Sequence, residues 1–523
     1  MVRSSRIFPD TLKCMRLRFL ALLIPGILAA QSIVAQSLQD FEKKVTQFTL
    51  PNGLTFLVIE RHEAPVVSFH TYVNVGSVDD VTNRTGLAHM FEHMAFKGTP
   101  TIGTKNWPEE KKALDAVEEI YDRLDAERNK AFRADPKKIA AIQAELKAAM
   151  AKANSYVDEN AYPGIVEANG GEDLNAATAE DQTTYFYNFP SNRIELWFLL
   201  ESERFLHPVF REFYKERDVV REERRMRTES SPVGELVEAL LSTAFEAHPY
   251  KTSPIGWASD IENFRRTEAE ALYKRYYTPG NMTIGIAGDV NPEQAKKLAE
   301  KYFGRLPAGP NPPLVRTVEP PQTGEKTVAV ASPAQPYLLI GYKRPDEYSK
   351  DDVPLDVLSD LLSDGRTGIM YKDMVRDKKI ALGAESQASF PGGKYPNLFI
   401  FFVAPSQGHT VEENEKDLYA LIDNLKKNKV DAESLQREKT KLRASLIRQL
   451  DSNAGLAQQL CFYQANYGDW RKMFTELDDY NKVTADDVMR VANTYLMEKD
   501  RTVAFTYVPP KEAAKEPTRE NAK

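Results

Sequence analysis

His89, Glu92 and His93 form the sequence H-x-x-E-H within GLAHMFEHMAFKGT, and their spacing suits metal chemistry. Residues four apart project from the same face of a helix, so the two imidazoles can bind one metal ion. The glutamate lies on that face too, where it can take a proton from a water bound to the metal. The alternative is two packing or surface histidines on an amphipathic helix. The spacing favours a metal site with Glu92 as its base.

A catalytic zinc site needs a third protein ligand and one open position. The charged segment REFYKERDVVREERRMR offers Glu212, Glu216, Glu222 and Glu223. Glu216 and Glu223 are two helical turns apart, so both can face one site. One can coordinate the metal while the other hydrogen-bonds a ligating imidazole. These residues alone leave the choice open, and a solvated helix with Glu–Arg pairs is the alternative.

The elements that position these residues are strands and short helices. TQFTLPNGLTFLVIERHE predicts a β-hairpin turning at residues 51–53, and VVSFHTYVNVGSVDD predicts a strand in which His70 packs. Gly86 precedes the helix of the metal motif, which we expect to end within residues 96–99. The segment around Asn175 and Ala176 predicts a further strand, because it is rich in Thr, Tyr and Phe.

Residues 107–157 are rich in Ala, Glu, Lys and Leu and are divided by Asp135 and Pro136. They predict an antiparallel helical hairpin inserted in the first half, with a solvated charged face or, alternatively, a partner-docking surface. Residues 309–325 are dense in Pro and Gly and predict a linker. The element order before the linker resembles the order after it. We therefore expect an α+β fold of two similar halves, 36–308 and 326–510, and a disordered tail at 511–523.

Composition bounds the function. The 523 residues suggest two to four domains, and 42 % hydrophobic with 28 % charged residues is typical of a globular protein. The formal net charge of −7 does not indicate the positively charged surface that nucleic-acid binding requires, so we expect no nucleic-acid partner.

The N-terminus predicts export. Lys13, Arg16 and Arg18 precede the apolar run FLALLIPGILAA, and small residues follow up to Ala35. This pattern predicts a secretory signal peptide at residues 1–35, a periplasmic location and no stable membrane span after cleavage; an uncleaved anchor is the alternative. Since Cys14 lies within that segment, Cys461 is the one cysteine of the mature chain, which can form no internal disulfide.

The motifs together resemble a known family. H-x-x-E-H is the inverzincin signature, and GLAHMFEHMAFKGT, NAATAEDQTTYFYNFP and ERDVVREE follow one another as in the insulinase/pitrilysin zinc metallopeptidases. Bacterial members similar to the mitochondrial processing peptidase resemble this chain most. The resemblance extends from about Val45 to Tyr507. It implies two halves that close like a clam around a chamber admitting short or unfolded peptides.

The resemblance also implies site residues. His89, His93 and Glu223 match the zinc ligands, Glu92 the catalytic base, and Glu216 the glutamate that supports a ligating histidine. These five residues would form the reaction centre. They would act on one Zn²⁺ per chain.

Substrate binding is implied at two places. Asn175 and Ala176 match the edge strand along which the family binds extended peptides. Arg376 matches a substrate-binding arginine of the C-terminal half. The chain departs from the family pattern in a longer stretch between His93 and Glu223, which we attribute to the 107–157 hairpin. It also has Leu382 or Gly383 where a tyrosine is usual.

The function implied is a zinc metalloendopeptidase that cleaves short or unfolded peptides. Because the expected tyrosine is missing, the resemblance also implies a second subunit of the same fold, in a hetero- or homodimer. The alternative is a non-catalytic or partner-dependent subunit that binds peptides without cutting them.

Overall fold

The computed structural model of the chain describes residues 42–509. The predicted signal peptide at 1–35 and the predicted tail at 511–523 lie outside the described residues. Within residues 42–509, no helix combines the length and the hydrophobicity that crossing a membrane requires.

The eleven strands of residues 42–509 form two mixed sheets. The six-stranded sheet has the order β1-β2-β6-β3-β5-β4, and the five-stranded sheet has the order β7-β11-β8-β10-β9. The strand bounds are β1 Val45–Thr49, β2 Thr55–Glu60, β3 Val66–Val73, β4 Glu172–Thr178, β5 Thr183–Pro190, β6 Met282–Gly288, β7 Lys326–Ala331, β8 Leu338–Arg344, β9 Ala381–Phe390, β10 Asn397–Pro405 and β11 Arg501–Tyr507. The hairpin predicted at residues 51–53 is confirmed, because β1 pairs antiparallel with β2 across that turn.

The two sheets share one topology. Strands β2 to β6 follow the order β2-β6-β3-β5-β4, and β7 to β11 repeat it as β7-β11-β8-β10-β9. In each sheet one pair is parallel, β2 with β6 and β7 with β11, and the other neighbouring strands are antiparallel. Strand β1 is an addition to the first sheet. The predicted α+β fold of two similar halves is confirmed.

Helices cover the sheets. Their bounds are α1 Leu87–Met94, α2 Trp107–Arg128, α3 Pro136–Asn154, α4 Ala161–Ala168, α5 Ile194–Leu206, α6 Phe213–Arg224, α7 Pro232–Ala244, α8 Ala258–Glu262, α9 Arg266–Tyr276, α10 Pro292–Tyr302, α11 Asp352–Ser363, α12 Val411–Lys427, α13 Ala432–Gln449, α14 Asn453–Tyr467, α15 Lys472–Lys482 and α16 Ala485–Tyr495. Two π-helical segments, Arg225–Glu229 and Tyr371–Asp377, add to these. Residues 307–325 connect the two sheets without a helix or a strand.

Helix α1 carries the metal motif, and its start is held by a residue outside the helix. Gly86 stands before it with a φ of 93°, and a Cβ there would lie 2.5 Å from the carbonyl oxygen of Ile255. The Asp80 carboxylate accepts hydrogen bonds from the N–H groups of Gly86 and Ala88, at 2.6 and 2.9 Å. A carboxylate at a helix N-terminus satisfies free donors and complements the helix dipole. Asp80 therefore sets where the motif begins.

Helix α1 ends at Met94, earlier than the expected residues 96–99, and Arg211 explains why. Its guanidinium donates to the carbonyl oxygens of Lys97, Thr99 and Ile102 and forms an ion pair with Glu110 at 2.7 Å. Both charged side chains are fully buried. Because these carbonyls point at one cation, the segment after the helix follows a turn rather than a further helical turn.

The predicted helical hairpin is confirmed as α2 and α3, which pack against each other. Asn106 caps α2 and Asp135 caps α3, and in each helix the first residues include a proline, which lacks the N–H that a helix start cannot satisfy. Residues Leu114, Val117, Tyr121 and Leu124 of α2 are buried, at the helical spacing expected.

Helix α14 follows the linker and contacts α15, yet it covers the first sheet. It packs on β3 and β6 of the first sheet, and Leu456, Leu460 and Cys461 are buried there. Cys461 contacts the carbonyl oxygen of His70 at 3.4 Å, and His70 itself is buried against Phe186. His70 has the packing role expected, and Cys461 is buried beside it. The segment after residue 326 therefore covers part of the first sheet as well as its own.

Candidate metal centre

Three predicted ligands meet at one point. One ligand atom from each of His89, His93 and Glu223 lies within 4.8 Å of the other two. Glu223 Oε2 is 3.7 Å from His89 Nε2 and 3.4 Å from His93 Nε2. Helix α1 presents the imidazoles and helix α6 presents the carboxylate, and the two helices are in contact. Of the two glutamates that helical spacing left open, Glu223 faces both rings.

The three residues fit a zinc ion. In a tetrahedral site with bonds of about 2.0–2.1 Å, the ligand atoms are roughly 3.3 Å apart. The distances of 3.4 and 3.7 Å between the Glu223 oxygen and the two imidazole nitrogens are close to that separation. They are longer than an ordinary N–H···O hydrogen bond. Two imidazole nitrogens with one carboxylate oxygen also form a donor set that zinc accepts in catalytic sites. Arg227 forms an ion pair with Glu223 Oε1 at 3.0 Å, so Oε2 of the same carboxylate faces the two imidazole rings.

Glu216 is in contact with the opposite nitrogen of His93. Its Oε2 is 3.4 Å from His93 Nδ1, while Lys97 forms an ion pair with its other oxygen. Lys97 also reaches Glu212 at 3.2 Å. A carboxylate on the far nitrogen fixes the orientation and the tautomer of a ligating imidazole. Glu216, held by Lys97, therefore lies where it can orient His93 without reaching the ligand atoms.

The charges of the cluster are uneven. Burial lowers the pKa of His89 to about 4. Burial would also lower the pKa of His93, but hydrogen bonds to Glu216 and Glu223 outweigh it and raise that pKa to about 9. Burial likewise opposes the ionisation of Glu216, yet His93 and Lys97 lower its pKa to about 2. The protonated ring of His93 thus lies between two carboxylates, and a dication can replace the proton on its Nε2.

Glu92 lies beside the three ligand residues rather than among them. It is half-buried, and burial raises the pKa of its carboxyl, which a hydrogen bond from Thr178 partly offsets. It lines the same cavity as His89 and Asn175. A half-buried carboxylate with an open side towards a cavity can exchange protons with a bound molecule.

The edge strand runs next to Glu92. Strand β4 contains Asn175 and Ala176 and is the outermost strand of the first sheet. The N–H of Ala176 donates to the side-chain oxygen of Asn175 at 2.9 Å rather than to β5. An edge strand with outward backbone groups can pair with an extended peptide. Asn175 and Ala176 lie on this edge strand, and their role in substrate binding stays a prediction.

A cleft opens over the cluster on both sides. One cavity of about 1390 Å³ is lined by His89, Glu92, His93 and Glu223, and also by helix α3. Another cavity of about 1190 Å³ reaches Glu92, His93 and Asn175 from the other side. The cluster is therefore accessible to a ligand much longer than one residue.

Arg376 is not brought to this cluster. It lies in the segment Tyr371–Asp377, its side chain is 56 % exposed, and it pairs with Asp377 at 2.6 Å. Gly383 lies in β9, the edge strand of the second sheet, and a Cβ there would meet no atom within 4 Å. A substrate role for Arg376 stays a prediction.

Two residues of the site were missed at the level of sequence. Lys97 follows His93 by four residues, and Arg227 follows Glu223 by four residues. That spacing places side chains on one helix face, so it could have identified both as charge partners of the site. Of the remaining candidates, Glu212 pairs with two lysines and Glu222 pairs with Arg225. Neither glutamate contacts a histidine of the cluster.

Comparisons with known proteins agree with this geometry. The family model described as "Insulinase (Peptidase family M16)" matches residues 55–127 and 139–256, and the one described as "Peptidase M16 inactive domain" matches residues 263–442. The unmatched residues 128–138 lie at the tip of the α2–α3 hairpin. Among the residues that the structure describes, the second match contains no group of three ligands like that in the first.

Curated relatives and solved structures extend the match. The chain is 28 % identical over 482 residues to "Zinc protease PqqE" of Helicobacter pylori, covering 89 % of this chain and 94 % of that protein. It is 23 % identical to the "Probable mitochondrial-processing peptidase subunit beta" of Arabidopsis thaliana, covering 88 % and 78 %.

The crystal structure of a protease from Helicobacter pylori has a TM-score of 0.74 at 26 % identity, covering 89 % of this chain and 99 % of that one. The first half of the periplasmic protease PqqL from Escherichia coli shares the fold, with a TM-score of 0.65, 17 % identity and coverage of 89 % and 92 %. The matched models, the relatives and the two-halved clam-like fold together show that the chain belongs to the insulinase family, peptidase family M16.

Proposed function

We propose that this protein is a zinc-dependent endopeptidase that hydrolyses short or unfolded peptides. The observation that carries the proposal is the convergence of His89, His93 and Glu223 within 4.8 Å of one another, with Glu92 beside them. Relatives named zinc proteases support the choice of metal and of reaction class.

His89, His93 and Glu223 would hold the zinc, and Glu216 would orient His93. When bound, Zn²⁺ supplies a Lewis acid that acidifies water and polarises a carbonyl group. Glu92 takes the proton of the attacking water and then delivers it to the leaving amine nitrogen. Its half-buried position favours this exchange, because burial raises the pKa of its carboxyl towards neutrality.

The substrate would bind in extended form along β4, next to Asn175 and Ala176. Main-chain hydrogen bonds to an edge strand accept many sequences, as a peptidase of short or unfolded peptides requires. The predicted signal peptide supports a periplasmic location, and the PqqL protein that shares the fold is described as periplasmic.

A partner-dependent form of this function has one specific observation in its favour. Arg376 is exposed, and Leu382 or Gly383 stands where the resemblance implies a tyrosine. A second subunit of the same fold would then complete substrate binding. Comparing the peptidase rate of the purified chain with that of a complex isolated from the source organism tests this form.

Zinc stoichiometry and one substitution test the proposed function. The mature chain should purify with one zinc per chain, and Glu92→Gln should keep that zinc while cleavage of a quenched peptide falls about 10²- to 10⁴-fold. Glu119→Gln, which changes an exposed glutamate on α2, is the matched control and should leave the rate unchanged. A metal-free chain, or full activity in Glu92→Gln, would overturn the proposal.

A further inference from the structure

Helix α3 has one face that packs in the core and another face that is exposed to the cleft. Ile142, Leu146 and Ala153 are buried in the first core. Gln143, Lys147, Met150, Ala151 and Asn154 line the cleft over the metal cluster, and Leu146 reaches it as well. Their spacing of three and four residues places them on a single side of the helix. Met150 is half-buried and also packs against the core, so core and cleft share its side chain. The hairpin therefore forms a wall of the cleft as well as packing on itself.

Across the cleft, helix α6 and the segment after it expose apolar side chains. Val219 is 45 % exposed and Met226 is 65 % exposed, and both line the same cavity as Met150. They follow Glu216 and Glu223 by three residues each, on the side of the helix that carries the carboxylates. Apolar side chains exposed at a reaction centre have no role in the core and are typical of ligand contacts.

The size and charge of this part of the cleft identify its occupant. Its volume of about 1390 Å³ exceeds the range of about 300–1,000 Å³ usual for a drug-sized ligand, so it suits a stretch of peptide. Strand β4, at the edge of the first sheet, also lines this cavity. Charges of both signs line this cavity, so charge does not select one sign of side chain: they are Lys147, Lys215, Arg227, Glu92, Asp218, Glu222 and Glu223.

We propose that α3 is a specificity wall and that Met150, Val219 and Met226 form an apolar subsite for one large apolar side chain of the peptide. The inference rests on the proposed function, because it takes the cleft to hold a peptide. A peptide paired with β4 directs alternate side chains to opposite faces of the sheet, so one set points towards α3 and α6. Leu, Met or Phe would be accepted there, whereas Ser or Asp would leave the apolar wall in contact with a polar group.

Ala151 and Ala148 provide a matched pair to test the wall. Both are exposed on α3, but Ala151 lines the cleft and Ala148 does not. Replacing either with glutamate changes charge and helix propensity equally. Ala151→Glu places a carboxylate at the apolar wall, and Ala148→Glu places it in solvent. A further variant, Met226→Gln, changes a side chain that is already exposed and is expected to fold.

Binding is measured by fluorescence anisotropy on the mature chain carrying Glu92→Gln, with two dye-labelled ten-residue peptides that differ only in Leu or Ser at each apolar position. We expect the Leu peptide to bind about ten- to a hundredfold more tightly. Ala151→Glu and Met226→Gln should reduce this preference at least several-fold, and Ala148→Glu should keep it. Equal binding of the two peptides, no binding of either, or equal effects of both glutamate variants overturns the inference.

The same peptides offered to the chain with Glu92 intact test the proposed function separately. If the preference in binding is present but neither peptide is cut, the peptidase proposal fails and the subsite stands. If both peptides are cut equally and Ala151→Glu changes neither rate, the subsite fails and the peptidase stands.

Discussion

Glu223 Oε2 lies 3.4 Å from His93 Nε2, although the whole α2–α3 hairpin and strands β4 and β5 lie between them in the chain. Helix α6 returns to helix α1 after these elements, and the carboxylate faces both imidazoles. Two of these intervening elements contribute to the site, since α3 and β4 both line the cleft above the cluster.

The first prediction separates two adjacent glutamates. Glu223→Gln should lose most of the zinc, because it removes the anionic ligand atom that faces both rings. Glu222→Gln should keep it, because Glu222 pairs with Arg225 and contacts neither histidine. Zinc per chain by atomic emission, after dialysis against a weak chelator, measures the difference. Equal zinc in the two variants would contradict the assignment of Glu223.

The second prediction concerns the support of His93. Glu216→Gln should weaken zinc binding about 10- to 100-fold, since the far nitrogen of the imidazole loses its anionic partner. Glu212→Gln is the control: it removes a carboxylate from the same Lys97 but contacts neither histidine. Competition with a chromogenic chelator measures the affinity. If both variants bind zinc as the parent chain does, Glu216 is not a positioning residue.

The third prediction concerns the turn after the metal helix. Arg211→Met should lower the free energy of unfolding by about 3–5 kcal/mol, because it leaves Glu110 as a buried, unpaired charge. The carbonyl oxygens of Thr99 and Ile102 would also lose their donor. Urea denaturation followed by circular dichroism gives the value. Adding Glu110→Gln should recover part of the loss, and no recovery would show that the carbonyl contacts dominate.

The fourth prediction is a dependence of stability on pH. Burial, with Asp352 and Asp181 nearby, raises the pKa of Glu347 to about 8. The folded state therefore binds a proton that the unfolded chain releases at a lower pH, and stability falls as pH rises from about 4.5 to about 8. Glu347→Gln should raise the melting temperature at pH 8 and change it little at pH 5. Glu300→Gln, at an exposed position on α10, should show no such difference between the two pH values.

Local patterns determined much of this fold in advance. The spacing within H-x-x-E-H places His89 and His93 on one helix face, and this depends only on the helical repeat. Asp135 and Pro136 divide α2 from α3 for a similarly local reason, because a capped helix start and a proline act within one turn. The repeated element order also indicated two similar halves, which the shared strand topology confirms.

Only the tertiary structure decided which glutamate faces the metal cluster, where helix α1 ends and which surface α14 covers. Helical spacing put Glu216 and Glu223 on one face, but their distances to His93 depend on how α6 packs against α1. Arg211 ends the metal helix through carbonyl groups that no local pattern connects to it. Periodicity encodes which way a side chain points within its own element, whereas the packing of distant segments encodes what it meets there.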